Sequence, residues 1–339
     1  MKRLKGCRPI IFLRRVPPAN LPLEEEKQLY QTLEDILDAT GTPTYFKTPA
    51  FKKWIYKKVG FIVKRIRRIH TLFDRYKISQ TIYGSTINRY GSVVTSFAQS
   101  RQVFTVNIQH GILSELGHFP VNADLNLVWG PSHKDYLVSR GAPQDRIKNI
   151  GPVFVRNLDF KANHQPPKRS EALNILVAMQ PLGNKYNKKM IRTIEQAANN
   201  ISEPITINYK LHPDQNNKQR YQKHLIQQCS AVISHGQRSL QELINESDLV
   251  ITPFSTVAYE ALLNGKPVVF YKDPGDLYYL NNSPLYVHTS SELSNIFTAA
   301  INDQGFLPSL ASKLALKDSP HEQPLTSERL LRFIEESET

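Results

Sequence analysis

The chain has 339 residues, of which 40% are hydrophobic and 22% charged, and its formal net charge is +13 at pH 7. This composition excludes an intrinsically disordered chain, and the length favours two domains over one. The two cysteines, Cys7 and Cys229, imply neither a disulfide framework nor a zinc site, so we expect a reduced, cytoplasmic setting.

The apolar runs exclude a membrane-spanning helix and a secretory signal. None approaches the roughly 20 residues that a bilayer requires. The run Pro9–Leu13 is too short for a signal sequence. The positive charge favours a phosphorylated ligand, an anionic lipid surface or nucleic acid as the partner. We do not expect nucleic acid, because no zinc-finger, RNP or basic-zipper pattern accompanies the charge.

Strand-like and helical runs alternate along the first half, which is typical of a parallel α/β architecture. The predicted elements are a strand at Pro9–Leu13, a helix at Leu23–Ala39 that ends before Gly41, a strand at Thr44–Phe46, a helix at Phe51–His70 and strands at Thr81–Ser85, Val103–Ile108, Leu125–Trp129 and Arg146–Ile150. We assign them to an N-terminal domain, residues 1–156.

The predicted helix Phe51–His70 is strongly basic. It has eight Lys or Arg and no acidic residue, and apolar side chains recur between them at helical spacing. A basic amphipathic helix is typical of a protein that lies on an anionic membrane surface. The alternative is a helix that packs on the core and leaves its basic face in solvent. With the first interpretation, we expect a cytoplasmic protein peripheral to the inner face of the cell membrane.

A polar, proline-containing break at Asn157–Ala172 is typical of an interdomain linker. The second half repeats the alternation, with strands at Leu173–Met179, Ile205–Lys210, Ala231–Ser234, Leu249–Thr252 and Val268–Tyr271 and a helix near Lys188–Asn199. We predict an α/β fold of two Rossmann-like domains that face each other across a cleft. The C-terminal domain would span 173–317, followed by a tail, 318–339, with a helix at Ser327–Glu336. Ligands of such sheets bind outside the carboxyl ends of the strands.

A histidine follows the predicted strand Val103–Ile108, in the sequence Gln109-His110-Gly111. Glycine lets the backbone turn closely there, and histidine accepts a proton near neutral pH. We therefore predict His110 as a catalytic residue, with Gln109, Gly111 and the nearby His118 as substrate-binding residues. The alternative is a histidine that only stabilises the turn.

Polar residues also follow two strands of the second half. Lys210, His212 and Pro213 belong to the sequence KLHPD, where the proline favours an extended histidine that could meet a phosphate. The alternative is a plain proline turn. Gln180 follows the strand Leu173–Met179 and is predicted to form a hydrogen bond with a polar group of the substrate.

The segment SDLVITPFSTVAYEALLNGKPVVFY, residues 247–271, predicts a strand, a polar turn, a helix and a second strand. Pro253, Ser255 and Thr256 lie at the helix N-terminus, where backbone N–H groups and the helix dipole favour a phosphate. Glu260 follows Thr256 by four residues on the same side and could accept from a ribose hydroxyl. Alternatively, Ser255 or Thr256 is an ordinary N-cap.

Other motifs exclude several classes of enzyme. The chain has no G-x-G-x-x-G, Walker A or nucleophile-elbow sequence, so a dinucleotide dehydrogenase, a P-loop NTPase and an α/β-hydrolase are not supported. The histidines show no metal-ligand spacing. His133, near the start of a predicted helix, is interpreted as a surface residue.

Taken together, the sequences NIQHG, WGPSHKDYLVSRGAP, KLHPD and SDLVITPFSTVAYEALLNGKPVVFY resemble a GT-B glycosyltransferase. They are most similar to the bacterial surface-polysaccharide transferases, which include CDP-glycerol glycerophosphotransferases, capsule Kdo transferases and polysialyltransferases. The resemblance implies metal-independent, inverting transfer of a sugar or polyol phosphate from a nucleotide-activated donor to a glycan or lipid-linked acceptor. It implies no tightly bound cofactor.

By this resemblance, His110 would be the base that takes the proton of the acceptor hydroxyl. His212 with Pro213, and Ser255 with Thr256, would hold the donor phosphate, and Glu260 would bind the ribose. Lys210 and Pro253 would complete the donor site.

Two alternatives remain open. Non-hydrolysing UDP-sugar 2-epimerases resemble the second half, but their first strand leads into a glycine–threonine–arginine–proline–glutamate turn, whereas residues 13–18 here are LRRVPP. The other alternative is a non-catalytic, membrane-associated subunit that binds a nucleotide-sugar.

Overall fold

The computed structural model describes residues 13–20, 23–88, 90–152, 172–215, 217–272, 275 and 277–318. They form two compact units. The first takes in the described residues up to Leu127 and the segment Ala142–Lys148; the second takes in Val128–Gly141 and the described residues from Asn149 onward. Most of the predicted strand Pro9–Leu13, almost all of the predicted linker and the predicted helix Ser327–Glu336 lie outside the described residues.

The first unit and the strand that completes its sheet contain five α-helices and four strands within the described ranges. These are α1 Leu23–Asp38, α2 Thr44–Lys47, α3 Pro49–Arg75, β1 Gln80–Tyr83, α4 Gly91–Ser100, β2 Phe104–Ile108, α5 Glu115–His118, β3 Leu125–Val128 and β4 Ile147–Asn149. The sheet order is β1-β2-β3-β4. β1 pairs with β2, and β2 with β3, in parallel. β3 is buried along its whole length, so the core of this unit surrounds it.

Helix α3 begins where the sequence supplies a strong start signal. The side chain of Thr48 accepts a hydrogen bond from the N–H of Phe51, and Pro49 occupies the first helical position. Such a cap satisfies one of the free N–H groups of the first turn, and proline there loses no hydrogen bond. The predicted basic helix is confirmed, and it extends to Arg75.

The predicted strand Thr44–Phe46 is wrong, because these residues form the short helix α2. Three apolar or β-branched residues are too few to distinguish a strand from a helical turn by their periodicity. Pro43 precedes them at φ −56°, and Thr48 ends the turn by donating its N–H to the carbonyl of Tyr45.

The second unit contains six strands and seven helices within the described ranges. These are α6 Pro131–Val138, β5 Leu173–Ala178, α7 Asn184–Asn199, β6 Ile205–Lys210, α8 Lys218–Gln222, β7 Ser230–Ile233, α9 Leu240–Glu246, β8 Leu249–Thr252, α10 Thr256–Leu263, β9 Val268–Tyr271, β10 Tyr286–Val287, α11 Ser290–Asn302 and α12 Phe306–Lys313. The five strands predicted for this half are confirmed, three with the predicted ends and two with ends shifted by one residue.

The second sheet has the order β10-β9-β8-β5-β6-β7, and every neighbouring pair is parallel. The chain starts in the middle at β5, runs outward through β6 and β7, then returns to β8 and runs outward on the other side. This is the doubly wound arrangement, whose order reverses between β5 and β8. β8 and β9 are fully buried, which explains their unbroken apolar sequences.

The interpretation of His133 as a surface residue is wrong. The side chain is fully buried on α6. The centroid of its ring lies 5.3 Å from that of Trp129 and 5.7 Å from that of Tyr259. The hydroxyl of Tyr278 lies 2.9 Å from Nδ1. Burial lowers the pKa of His133 to about 3, so the ring stays neutral and packs as an aromatic residue.

Candidate functional site

The two central strands of the second sheet are joined at their carboxyl ends by side chains. Nε2 of Gln180, which follows β5, donates to Oγ of Ser255, which follows β8, over 3.0 Å. The hydroxyl of Thr252 donates to the carbonyl of Ala178 over 3.1 Å. Because the strand order reverses between β5 and β8, the crevice that binds ligands in doubly wound sheets opens at this point. The structure therefore brings the predicted residues Gln180 and Ser255 together at the switch point.

Ser255 is the N-cap of α10. Its backbone is extended, and its Oγ accepts a hydrogen bond from the N–H of Val257 over 3.1 Å. The N-terminus of α10 thus lies beside the carboxyl end of β8, with Pro253 buried in the turn between them and Thr256 as the first helical residue. The N-cap alternative holds for Ser255, but it is compatible with a ligand, since the same helix end attracts an anion.

Gln180 is fixed by two amides that no sequence motif indicated. Asn187 donates from Nδ2 to the carbonyl of Gln180 over 2.8 Å, and Gln215 donates from Nε2 to the same oxygen over 3.3 Å. Asn187 is fully buried on α7. The burial of Asn187 depends on tertiary packing and could not be predicted from neighbouring residues. Gln215, in contrast, directly follows the KLHPD sequence, which pointed to this part of the chain.

His212 joins the same network through Gln215. The N–H of His212 donates to Oε1 of Gln215 over 3.1 Å, and Nδ1 accepts from the N–H of Asp214 over 3.2 Å. Because Nδ1 is used as an acceptor, Nε2 carries the proton in the neutral ring and is the atom available as a donor to a ligand. Pro213 is exposed in the following turn.

Lys210 supports the neighbouring turn. Its Nζ donates to the carbonyls of Ser234 and Arg238, over 3.1 and 2.7 Å. Burial lowers the pKa of the ammonium group, and the nearby Arg238 lowers it further. Two of its three donors are thus used within the protein, which leaves one for a phosphate.

Glu260 differs from its surroundings because it is an acid in a mostly apolar helix. Burial raises the pKa of its carboxyl group to about 7. Among the described residues no side chain or backbone N–H donates to this carboxyl group. Both its charged and its neutral form are therefore populated near pH 7, and a ligand that donates hydrogen bonds would favour the charged form.

In the first unit, the predicted catalytic histidine lies at the end of β2. His110 is exposed, and its Nδ1 is hydrogen-bonded to the carbonyl of Gly84, which follows β1. A carbonyl oxygen only accepts, so Nδ1 carries the proton and Nε2 is the basic nitrogen. The buried Gln109 donates from Nε2 to the carbonyl of Gly111 over 2.9 Å, which closes the turn.

His118, at the end of α5, lies beside this turn. Its ring is stacked on that of His110, with the centroids 6.3 Å apart. Nδ1 of His118 accepts from the N–H of Ser114 over 3.0 Å. Burial lowers the pKa of His118, with a smaller contribution from His110. The predicted residues Gln109, His110, Gly111 and His118 thus form one cluster within this unit.

A search for metal sites gave no candidate in the described part of the chain, since no three His, Cys, Asp or Glu residues lie close enough together to hold an ion. Nor does any described helix combine the length and apolar character that crossing a bilayer requires.

Comparison with known proteins gave a family and a set of similar folds. The family model described as UDP-N-acetylglucosamine 2-epimerase matches residues 119–334, more than half of the chain. No match was found among curated proteins. The matched residues include Gln180, Ser255 and Glu260 but not His110.

Three solved structures illustrate the fold. The S. aureus MnaA–UDP co-structure is 14% identical, with a TM-score of 0.57 over 81% of this chain and 79% of that chain. UDP-GlcNAc 2-epimerase from Neisseria meningitidis bound to UDP-GlcNAc is 14% identical, with a TM-score of 0.56 over 81% and 82%. UDP-GlcNAc 2-epimerase from Methanocaldococcus jannaschii is 14% identical, with a TM-score of 0.52 over 81% and 82%. The predicted α/β class with two Rossmann-like domains of the GT-B type is confirmed.

The predicted glycosyltransferase activity is wrong, because the family model that matches most of the chain is that of UDP-N-acetylglucosamine 2-epimerase. The prediction gave too much weight to one absent turn near the N-terminus, at residues 13–18. The family match covers residues 119–334, which include all the motifs of the second half. The assignment to surface-polysaccharide transferases, with a glycan or lipid-linked acceptor, falls with it.

Proposed function

The chain belongs to the UDP-N-acetylglucosamine 2-epimerase family, and we propose that it binds a free UDP-sugar and inverts the sugar at C2 without an acceptor. The observation that carries the binding site is the hydrogen bond of 3.0 Å between Gln180 and Ser255 at the β5–β8 switch point. It fixes two polar side chains where the doubly wound sheet opens toward a ligand.

The pyrophosphate of the ligand would lie at the N-terminus of α10. Ser255 and Thr256 supply hydroxyl and backbone donors there, and the helix dipole favours the negative charge. His212 and Lys210 would assist from the end of β6. Lys210 keeps one N–H beyond the two that hold the carbonyls of Ser234 and Arg238.

The ribose would lie against Glu260, four residues and about one helical turn after Thr256. Ribose hydroxyls would donate to the carboxylate. The protein itself supplies no donor to that group within the described ranges, and burial holds its pKa at about 7. A ligand that brings the missing donors would lower this pKa and fix the charged form.

The reaction breaks the C–H bond at C2 and forms a new C–H bond on the opposite face, so it requires one group that takes a proton and one that gives a proton. We propose His110 as a proton carrier, because its Nδ1 is committed to the carbonyl of Gly84 and Nε2 stays basic and exposed. The predicted substrate-binding roles of Gln109, Gly111 and His118 stay proposals for the same cluster.

The activity is tested by incubating the purified protein with UDP-N-acetylglucosamine in D₂O, without an acceptor, and recording proton NMR spectra. We expect a second UDP-sugar with inverted configuration at C2 and loss of the C2 proton signal by exchange. His110→Asn should lower kcat by about 10²- to 10⁴-fold. The exposed His288→Asn serves as the matched control and should leave kcat unchanged.

Binding is measured separately, as the rise in melting temperature that UDP produces. If UDP stabilises the protein but no inverted sugar and no exchange appear, the binding site stands and the epimerase activity is refuted. If UDP has no effect on the melting temperature, the site at Gln180, Ser255 and Glu260 is refuted.

A further inference from the structure

Helix α3 has an outer face that the proposed reaction does not use. Trp54, Lys57, Lys58, Phe61 and Lys64 recur at helical spacing and are all exposed. At 100° per residue they cover an arc of about 120° on the helix surface. Trp54 is 52% exposed and Phe61 50% exposed, which is unusual for side chains of this size. We call these five residues the aromatic–basic face.

The inner face of α3 is already partnered. Arg67 is paired with Glu26 of α1, and Nζ of Lys52 lies 2.8 Å from Oδ1 of Asp38 at the end of α1. Val63 is buried on this side. The core-packing alternative is therefore true of half the helix, and the charges that face α1 are neutralised.

The outer lysines have no such partners. Within the part of the chain that the structure describes, no carboxylate pairs with Lys57, Lys58 or Lys64. The ammonium group of Lys58 lies 5.6 Å from the centroid of the Trp54 ring, so cation and aromatic ring are presented together. No described residue neutralises this face, which therefore suits an anionic partner.

An aromatic group continues the face at the start of the helix. The rings of Tyr45, Phe46, Phe51 and Trp54 form a connected row, with centroids 4.9 to 5.5 Å apart. Tyr45 is 68% exposed and Phe46 is 38% exposed. The row places two amphipathic rings, Tyr45 and Trp54, and two apolar ones next to the lysines, a composition that suits a membrane–water interface.

We propose that the aromatic–basic face binds the surface of an anionic lipid bilayer. The lysines would meet the headgroup charge, while Trp54 and Phe61 enter the boundary between headgroups and acyl chains. A bilayer fits better than single-stranded nucleic acid, which is held in grooves that follow its backbone. The aromatic–basic face lies on one convex helix. It also fits better than an acidic protein surface, which offers no apolar layer for the two exposed rings.

The chain provides its own probe for this contact, because it has two tryptophans and Trp129 is buried. We would titrate the full chain with vesicles of phosphatidylcholine alone or mixed with phosphatidylglycerol, and record tryptophan emission and cosedimentation. We expect a blue shift and binding with the anionic vesicles only, and weaker binding as salt increases. Trp54→Phe should remove the blue shift and keep the binding.

The decisive variant is Lys57→Gln, Lys58→Gln and Lys64→Gln together, which should weaken binding to anionic vesicles about a hundredfold at low salt. The matched control removes three exposed lysines elsewhere, with Lys189→Gln, Lys223→Gln and Lys313→Gln. It should leave binding nearly unchanged. Circular dichroism and UDP-induced stabilisation confirm that both variants are folded.

Equal loss of binding in the two triple variants would refute the proposal, because the attraction would then depend on net charge and not on this face. Absence of binding to anionic vesicles would also refute it, as would equal binding to neutral vesicles. The outcome does not depend on the epimerase activity, since no nucleotide-sugar is present in the assay.

Discussion

Two glutamates of the second unit, Glu195 on α7 and Glu260 on α10, show how one residue type takes opposite roles. Glu195 is fully buried and accepts four hydrogen bonds, from the hydroxyls of Tyr209 and Ser230 and from the N–H groups of Ile226 and Gln227. Glu260 is mostly buried, and no described residue donates to its carboxyl group.

The difference shows that Glu195 stabilises the fold, whereas Glu260 does not. The four donors of Glu195 connect α7 with β6, with β7 and with the segment before β7, so this carboxylate stabilises the unit. Glu260 instead costs stability, because burial raises the pKa of its carboxyl group to about 7 and no described residue donates a hydrogen bond to it. A buried acid whose donors are missing is typical of a functional site.

The largest effect is expected from Glu195→Ala, which leaves four donors without an acceptor, among them the buried hydroxyl of Tyr209. The free energy of unfolding should fall by about 4 kcal/mol, since several unpaired polar groups remain at once. Urea denaturation measures it. Tyr209→Phe, which removes only one donor of the same network, should cost about 1 kcal/mol. If the two variants were equally stable, Glu195 would not have the central position described above.

Glu260→Gln, in contrast, is expected to increase the free energy of unfolding of the ligand-free protein. A folded pKa of about 7, raised from 4.5, means that charging Glu260 costs stability as the pH rises from 4.5 through 7. The variant lacks this cost, so it should be equally stable at pH 4 and more stable by about 3 kcal/mol at pH 8. Thermal unfolding across this range measures the gain. A pH-independent gain would contradict the raised pKa.

The same substitution should weaken UDP binding. Its effect on ligand affinity would then be opposite to its effect on stability. Ribose hydroxyls donate more strongly to the charged carboxylate than to the neutral acid, so the affinity of the natural protein should rise by up to about tenfold between pH 6 and pH 8. In Glu260→Gln this pH dependence should disappear. Calorimetric titration with UDP measures both. An unchanged affinity would place the ribose elsewhere.

A smaller effect is expected from Ser255→Ala, which removes the N-cap of α10 and the contact with Gln180. Stability should fall by about 1 kcal/mol, and UDP affinity should fall with it. Ser239→Ala is the matched control, because Ser239 caps α9 in the same way, with its side chain accepting from the N–H of Glu242. It should cost similar stability and leave UDP affinity unchanged. Equal affinities in the two variants would remove Ser255 from the ligand site.

Local patterns predicted most of the strands and their order along the chain. The apolar runs Leu249–Thr252 and Val268–Tyr271 fit strands buried on both faces, and both are confirmed. The strand predicted at Thr44–Phe46 was wrong because three residues are too few to show a periodicity of apolar side chains. The interpretation of His133 as a surface residue was wrong because its burial depends on the rings of Tyr259 and Tyr278, which are distant in sequence.

The choice between the two enzyme classes could not be made from strand-end residues alone. Ser255 at a helix N-terminus and Glu260 one turn later suit a nucleotide-sugar in either class, because both classes hold the same phosphate and ribose. The family match over residues 119–334 decided it.

The sequence by itself determined the alternation of strands and helices, the basic character of α3 and the polar turn before α10. These depend on neighbours within one turn or one strand, which the order of residues specifies directly. Only the tertiary structure decided that Gln180 meets Ser255, that Asn187 and Gln215 fix Gln180, and that Glu195 is satisfied while Glu260 is not. Those contacts join residues from different strands and helices, and burial and hydrogen-bond supply are properties of the packed fold.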